Sequence, residues 1–424
     1  MNFSDDKIKN DLLKHSSLMF LATIVSGSFN FLLQIVANRK LMEGDFAFMY
    51  SLFTLSMIFG VLGMSVLSMI SKQISHYRAS GQVSKVSYLL VHTLGKISLI
   101  ALAVFIVFLP FAGKIASILN RPGEVTAVMV TGFLMCLSVV VPVVYGALQG
   151  MERFKQWSLS MIIFAALRFT IGCSLIYLGF NVTGAISASI IAYILIFALI
   201  FYWLKDVFFG EENPVRDNLI DYYKTSWWIV VAFLFNYIIC FVDILIVQHY
   251  FIEGSAVYSS ASLLGRTIFY LPLALAAGMF PKVSAACADR KCPLPLLKTT
   301  LKYSFTLCAL AAVIICTLAD FLVSLVLKSA YSADVPALLR IFVFAFIPYA
   351  LITILIYYNI AAHRVKVLWV LLGGAIMHLV LLNFFRQSLS MVIKTLAVSG
   401  VIICAALLIF TFGQKKAPES DERR

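Results

Sequence analysis

Runs of about 20 apolar residues recur from one end of this 424-residue chain to the other, and each is long enough to cross ~30 Å of hydrocarbon as a helix. Lipid offers the backbone no hydrogen bonds, so only helices and closed barrels can span it. A barrel would show runs of ~10 residues alternating in polarity, and no such pattern is present. The balance of residues agrees, with 62% hydrophobic and only 12% charged, where soluble domains average ~25% charged. The chain reads as an all-α polytopic membrane protein.

About twelve transmembrane helices are expected, at roughly 15–38, 46–69, 88–110, 125–150, 157–179, 183–204, 225–248, 257–280, 300–324, 337–361, 367–386 and 390–412. The first run is longer than a signal-peptide core and no small-residue cleavage site follows it, so it reads as an uncleaved span. Basic residues set the orientation. With the N-terminus in the cytoplasm, twenty-two lysines and arginines fall on that side, eight on the other and three inside spans, as positive-inside retention requires. Both termini are expected in the cytoplasm of a multi-pass protein of the inner membrane. The net charge of +13 then reflects retention and contact with anionic membrane lipids; no room is left for a folded basic surface that would bind nucleic acid. Six of the eight cysteines lie in spans and read as small apolar packers. Cys287 and Cys292 share a loop without the further ligands a zinc site needs.

The chain also repeats itself. Shifted by 210 residues, 13–75 falls on 223–285 without a gap, with Glu43-Gly44 on Glu253-Gly254, Ile58-Phe59 on Ile268-Phe269 and Lys72 on Lys282. One residue out of phase, Arg153-Phe154-Lys155 echoes Arg364-Val365-Lys366. Six spans per copy is an even number, so the copies enter the membrane the same way round. The expected architecture is two parallel six-helix bundles, 15–204 and 225–412, around a central cavity, a plan suited to alternating access. A cytoplasmic segment 1–14 precedes them, a cytoplasmic linker 205–224 joins them, and a tail 413–424 follows.

Enzyme signatures are absent from the sequence. It has no phosphate-binding Gly-x-x-x-x-Gly-Lys loop, no His-Glu-x-x-His and no Gly-x-Ser-x-Gly, and its outer loops are short. The chain is expected not to be an enzyme and to need no cofactor beyond a possible coupling cation. The chemistry-bearing residues are the ionisable ones inside spans, because a charge at the helix centre costs about 2.5–3.5 kcal/mol unless it faces a cavity or a partner. Arg168 lies mid-span, as does Arg266; Asp243 lies in the outer half of span seven and Lys96 about two turns into span three. Asp243 and Arg266 can alternatively neutralise each other, and Lys96 can snorkel to the surface. Three cations and one anion favour an anionic substrate. Polar stripes mark candidate cavity faces: Ser26, Asn30, Gln34 and Asn38 on span one, Asn236 and Asp243 on span seven, and Ser255, Ser259, Ser262, Arg266 and Tyr270 on span eight. The plainer reading of each stripe is interhelical hydrogen bonding. Pro142, Pro272 and Pro348 are candidate kinks. His92 and His378 read as hydrogen-bonded packers.

From span seven onward the chain reads Phe241-Val242-Asp243, then Tyr250, Glu253-Gly254, Tyr258, Ala261, Arg266 and Phe280-Pro281-Lys282. The first half carries Arg39-Lys40-Leu41 before Glu43-Gly44, and Gly146-Ala147-Leu148-Gln149-Gly150 before Arg153-Phe154-Lys155. These segments resemble the polysaccharide-export and O-antigen flippases of lipid-linked oligosaccharides, within the multidrug/oligosaccharidyl-lipid/polysaccharide flippase superfamily. The resemblance implies two six-helix bundles in a V and the flipping of a polyprenyl-pyrophosphate-linked sugar unit. The family's basic cavity maps onto Arg168, Arg266 and Lys96, with Asn30, Gln34 and Asn236 beside them, and Asp243 for charge balance or for a coupling Na+ or H+. The implied partners are the lipid-linked oligosaccharide, a polysaccharide polymerase and glycosyltransferases. Span one lacks the internal charge usual in peptidoglycan-precursor flippases. The alternative is an ion-coupled efflux transporter for organic cations, for which Asp243 is the one clear acidic candidate.

Overall fold

The structure is a computed structural model and describes residues 3–80, 82, 84–209, 220–288, 293–328 and 333–413. Most of the tail and linker calls (414–424 and 210–219), and Cys292, lie outside the described residues. The chain divides into two compact units, Met1–Val230 and Val231–Arg424.

Unit 1 runs through α1 (Phe3–Lys40), α2 (Glu43–Ala79), α3 (Ser84–Phe108), the short α4 (Ala112–Ile118), α5 (Val125–Gly150), α6 (Phe154–Tyr177), α7 (Asn181–Trp203) and α8 (Lys205–Phe209). α9 (Ile220–Tyr250) crosses the unit boundary. Unit 2 continues with α10 (Ser255–Gly265), α11 (Thr267–Tyr270), α12 (Leu273–Ala288), α13 (Leu294–Thr317), α14 (Ala319–Val326), α15 (Val335–Ala345), α16 (Ile347–Ala361), α17 (Val367–Phe384) and α18 (Leu389–Gly413). Among the described residues, eleven helices are long and apolar enough to cross a membrane. This is a multi-pass membrane protein.

The eighth expected span, 257–280, is not one helix but three in succession, α10 to α12. Pro272 explains the second break: it has no N–H to give Ile268 O, and that carbonyl instead accepts from Leu271 N at 3.4 Å and from the Cys308 thiol at 3.7 Å. The first break falls at Arg266, whose side chain is drawn toward α9. Pro348 sits in the first turn of α16, just after the break at Phe346, whereas Pro142 is carried inside a continuous α5.

Helix packing in unit 1 explains the glycines of the Gly146–Gly150 segment. A Cβ on Gly146 would stand 2.7 Å from Leu67 O, and one on Gly150 2.7 Å from Ser71 O. The two glycines, four apart on one face of α5, let α2 approach to backbone contact. Ser75 Oγ and Arg78 Nη1 then both donate to Gly150 O, at 3.3 and 3.4 Å.

The internal repeat has a physical counterpart. In unit 1, α2 packs on α5 and α6 on α7; in unit 2, α10 packs on α15, α12 on α16 and α17 on α18. The echoed Arg153 and Arg364 occupy matching turns. Each follows a residue with left-handed backbone, Glu152 at φ 60° and His363 at φ 53°. Each N–H reaches back five residues, to Leu148 O at 2.8 Å and Asn359 O at 2.9 Å. Each guanidinium donates to a carbonyl near the end of its unit's last membrane helix, Trp203 O at 2.9 Å and Thr411 O at 2.8 Å. A cation there satisfies an orphan carbonyl and complements the negative end of the helix dipole.

Candidate functional site

Each unit holds a polar cluster among its packed helices. In unit 1 the i, i+4 spacing of Ser26, Asn30 and Gln34 places them on successive turns of α1, which packs on α6. Asn30 Nδ2 donates to Ser26 O at 2.9 Å, which turns Asn30 Oδ1 outward to accept from Arg168 Nη1 at 2.8 Å. The Arg168 guanidinium lies 4.6 Å from the ring centre of Phe53 on α2, a cation–π contact that holds its plane. No carboxylate pairs with it among the described residues. Arg168 Nε and Gln34 Oε1 are both buried without a hydrogen-bond partner in the structure. The cluster therefore presents a positive charge with unused donor and acceptor capacity, the equipment for recognising a phosphate oxygen and a neighbouring hydroxyl.

The unit 2 cluster is built differently. Arg266 ends α10 and is 2% exposed; Asp243, on α9, is fully buried. Arg266 Nη2 pairs with Asp243 Oδ2 at 2.5 Å, Nε donates to Ser262 Oγ at 2.5 Å, and Nη1 donates to Cys240 O. Three rings surround the guanidinium, Phe346 at 4.5 Å, Phe241 at 4.9 Å and Phe342 at 5.7 Å. Asp243 Oδ2 also accepts from Tyr258 OH at 2.5 Å, while Asp243 Oδ1 is buried without a partner. The charges cancel here, so the mutual neutralisation weighed for this pair is what the structure contains. Asn236, about two turns from Asp243 on α9, exchanges hydrogen bonds with Thr353 at 3.4 Å.

Of the residues singled out in the sequence, Asn30, Gln34 and Arg168 come together in unit 1, and Asn236, Asp243 and Arg266 share the interior of unit 2. Lys96 joins neither cluster; it is exposed on α3, in a groove shared with α8. The stripe on span eight is buried at Ser255, Ser259, Ser262 and Arg266, but Tyr270, beyond the break, is about half exposed. The bond from Tyr258 to Asp243 and the aromatic box around Arg266 were not anticipated. Tyr258 does lie two turns before Arg266 on one face, with Ser262 between them. His378 is fully buried and bonds Ser399 Oγ at 2.9 Å.

The model of a family described as polysaccharide biosynthesis protein matches residues 12–284. No curated protein matches the sequence. Among solved structures, the fold is similar to an inward-facing multidrug resistance MATE family transporter of the MOP superfamily, with TM-score 0.78 and 17% identity over 94% of this chain and 98% of that one. It is similar also to the lipid II flippase MurJ in an inward closed conformation, with TM-score 0.75 and 14% identity over 94% and 87% of the two chains. At such identities the likeness is one of fold.

Proposed function

We propose, for a chain that belongs to the polysaccharide biosynthesis protein family, that it is a flippase for a polyprenyl-pyrophosphate-linked oligosaccharide in the cytoplasmic membrane, with both termini in the cytoplasm. The observation that carries this reading is Arg168, which no carboxylate neutralises among the described residues and which Asn30 and Phe53 hold with donor capacity to spare. In this mechanism the pyrophosphate takes charge-assisted bonds from Arg168 while Asn30 and Gln34 meet polar groups beside it. The prenyl tail stays in lipid, and alternating access carries the sugar across without covalent chemistry. Asp243 is the group through which a coupling Na+ or H+ acts, since ion binding at its free Oδ1 competes with its hold on Arg266. A polymerase and glycosyltransferases are the enzymes that would work beside it. Efflux of organic cations would need an acidic site open to a bulky substrate, and Asp243 is fully buried against Arg266 and Tyr258.

The test is export of surface polysaccharide in cells that depend on this chain. Each charge-assisted bond lost is worth about 1.5–3 kcal/mol, so Arg168→Ala should cut export at least ~10-fold at normal membrane levels. Arg168→Lys should restore part of it, keeping the charge but losing the planar fork. Wild-type export by Arg168→Ala would remove the phosphate role from this residue.

A further inference from the structure

In unit 1, α3 and α8 border a groove of about 470 Å³, lined among others by Ser87, Tyr88, His92, Gly95, Lys96 and Phe208. Tyr88, His92 and Lys96 are four residues apart and so stand on successive turns of one helix face. The Tyr88 and His92 rings stack with centroids 5.1 Å apart. The wall formed by α8 is tied on by Ser87 Oγ, which donates to Phe208 O at 3.4 Å. A Cβ on Gly95 would meet nothing within 4 Å, so the space beside Lys96 is open.

The groove opens on an exposed face of α3. Further along α3, Leu99, Ile100, Val104 and Val107 are each more than half exposed, as expected of side chains solvated by hydrocarbon. Lys96 is exposed on this same stretch, and no carboxylate pairs with it among the described residues. Its Cα lies twelve residues, about 18 Å, from Ser84 at the start of α3. Helical side chains lean toward the N-terminus, which lifts the ammonium by about one turn, ~5 Å, to the level of His92. Counted from residue 88, where the apolar run begins, the ammonium then sits about four residues, ~6 Å, inside it. An anion that carries its own apolar chain suits that depth.

We propose that this groove binds the phosphate of an anionic membrane phospholipid, with Lys96 as the charged contact, Tyr88 and His92 as hydrogen-bonding neighbours, and the acyl chains along Leu99, Ile100, Val104 and Val107. One lysine matches the single negative charge of a phosphodiester, where a diphosphate would call for more. Because α8 is a wall of the groove, an occupant holds the start of the connection at 205–209 against α3. The leaflet concerned is the one bordered by the N-terminus of α3, cytoplasmic in the orientation proposed above.

Native mass spectrometry of the detergent-purified full chain, titrated with phosphatidylglycerol and with phosphatidylcholine, tests this without any transport step, so it is independent of the flippase reading. Wild type should prefer phosphatidylglycerol by about fivefold, the ratio expected for one basic residue at an anionic surface. Lys96→Gln should abolish the preference and Lys96→Arg keep it. Gly95→Leu, which fills the groove without touching the charge, should weaken both lipids. Lys85→Gln, on the same helix nearer its start, should leave the preference intact. Three results would each overturn the proposal: an unchanged preference in Lys96→Gln, displacement of the lipid by millimolar inorganic phosphate, or Lys96-dependent retention of a polyprenyl diphosphate in place of phosphatidylglycerol.

Discussion

Removing the charge of Asp243 while keeping its shape, as Asp243→Asn, should destabilise unit 2 severely. Arg266 is 2% exposed and pairs with this carboxylate at 2.5 Å, so the variant takes the charged partner from a buried cation and leaves the neutral contacts with Ser262 Oγ, Cys240 O and three rings. At an effective dielectric of ~20 two charges about 4 Å apart attract by about 4 kcal/mol, and breaking buried pairs by removing one partner costs about 3–5 kcal/mol. With about 2–4 °C per kcal/mol for a body of this size, the apparent Tm in detergent should fall by about 6–20 °C. Tyr258→Phe removes the second bond to Asp243 Oδ2 and should cost about 1.5–3 kcal/mol. The double variant Asp243→Asn, Arg266→Gln should recover much of the loss, giving a coupling of about 2–3 kcal/mol. Asp320→Asn serves as control, since its pair with Arg340 is exposed and should contribute about 0–1 kcal/mol. A single variant within the range of that control, or a double variant that falls by the sum of its parts, would refute the ion-pair lock.

Gly150→Leu must push α2 away from α5, because even a Cβ there stands 2.7 Å from Ser71 O; overpacking of about 1–3 kcal/mol should lower the Tm, and Gly278→Leu, whose added Cβ meets nothing, should not. Ser388→Cys, in an exposed turn before α18, should label with a membrane-impermeant thiol reagent from outside intact cells, and Ser80→Cys, after α2, only once the membrane is opened. The reverse pattern would invert the proposed orientation.

The membrane fold was legible because apolar runs of span length admit few alternatives, and the repeat because Arg153 and Arg364 do the same capping work in both units. The breaks in span eight were only half legible. Pro272 announces one, but the other depends on the reach of Arg266 to Cys240 and Asp243 on α9, and sequence does not say which faces of two helices meet. The same gap left Asp243 and Arg266 open between a locked pair and a cavity. A lone lysine in a span is equally mute about whether it joins a buried cluster, which is why Lys96 was grouped with the arginines, whereas the structure leaves it exposed on α3. Arg168 and Asn30, 138 residues apart, were each visible as polar residues in apolar spans, yet only the packing of α1 on α6 makes them one site.

The most direct measurement of the central claim is flipping in proteoliposomes that contain only this chain and a fluorescent polyprenyl-pyrophosphate oligosaccharide, with quencher outside and a cationic dye assayed in parallel. The account predicts protein-dependent loss of lipid-linked sugar fluorescence as the label reaches the quenched leaflet, slowed at least ~10-fold by Arg168→Ala, and no dye movement. Dye transport by the wild-type chain, with the lipid-linked sugar left in its original leaflet, would contradict it.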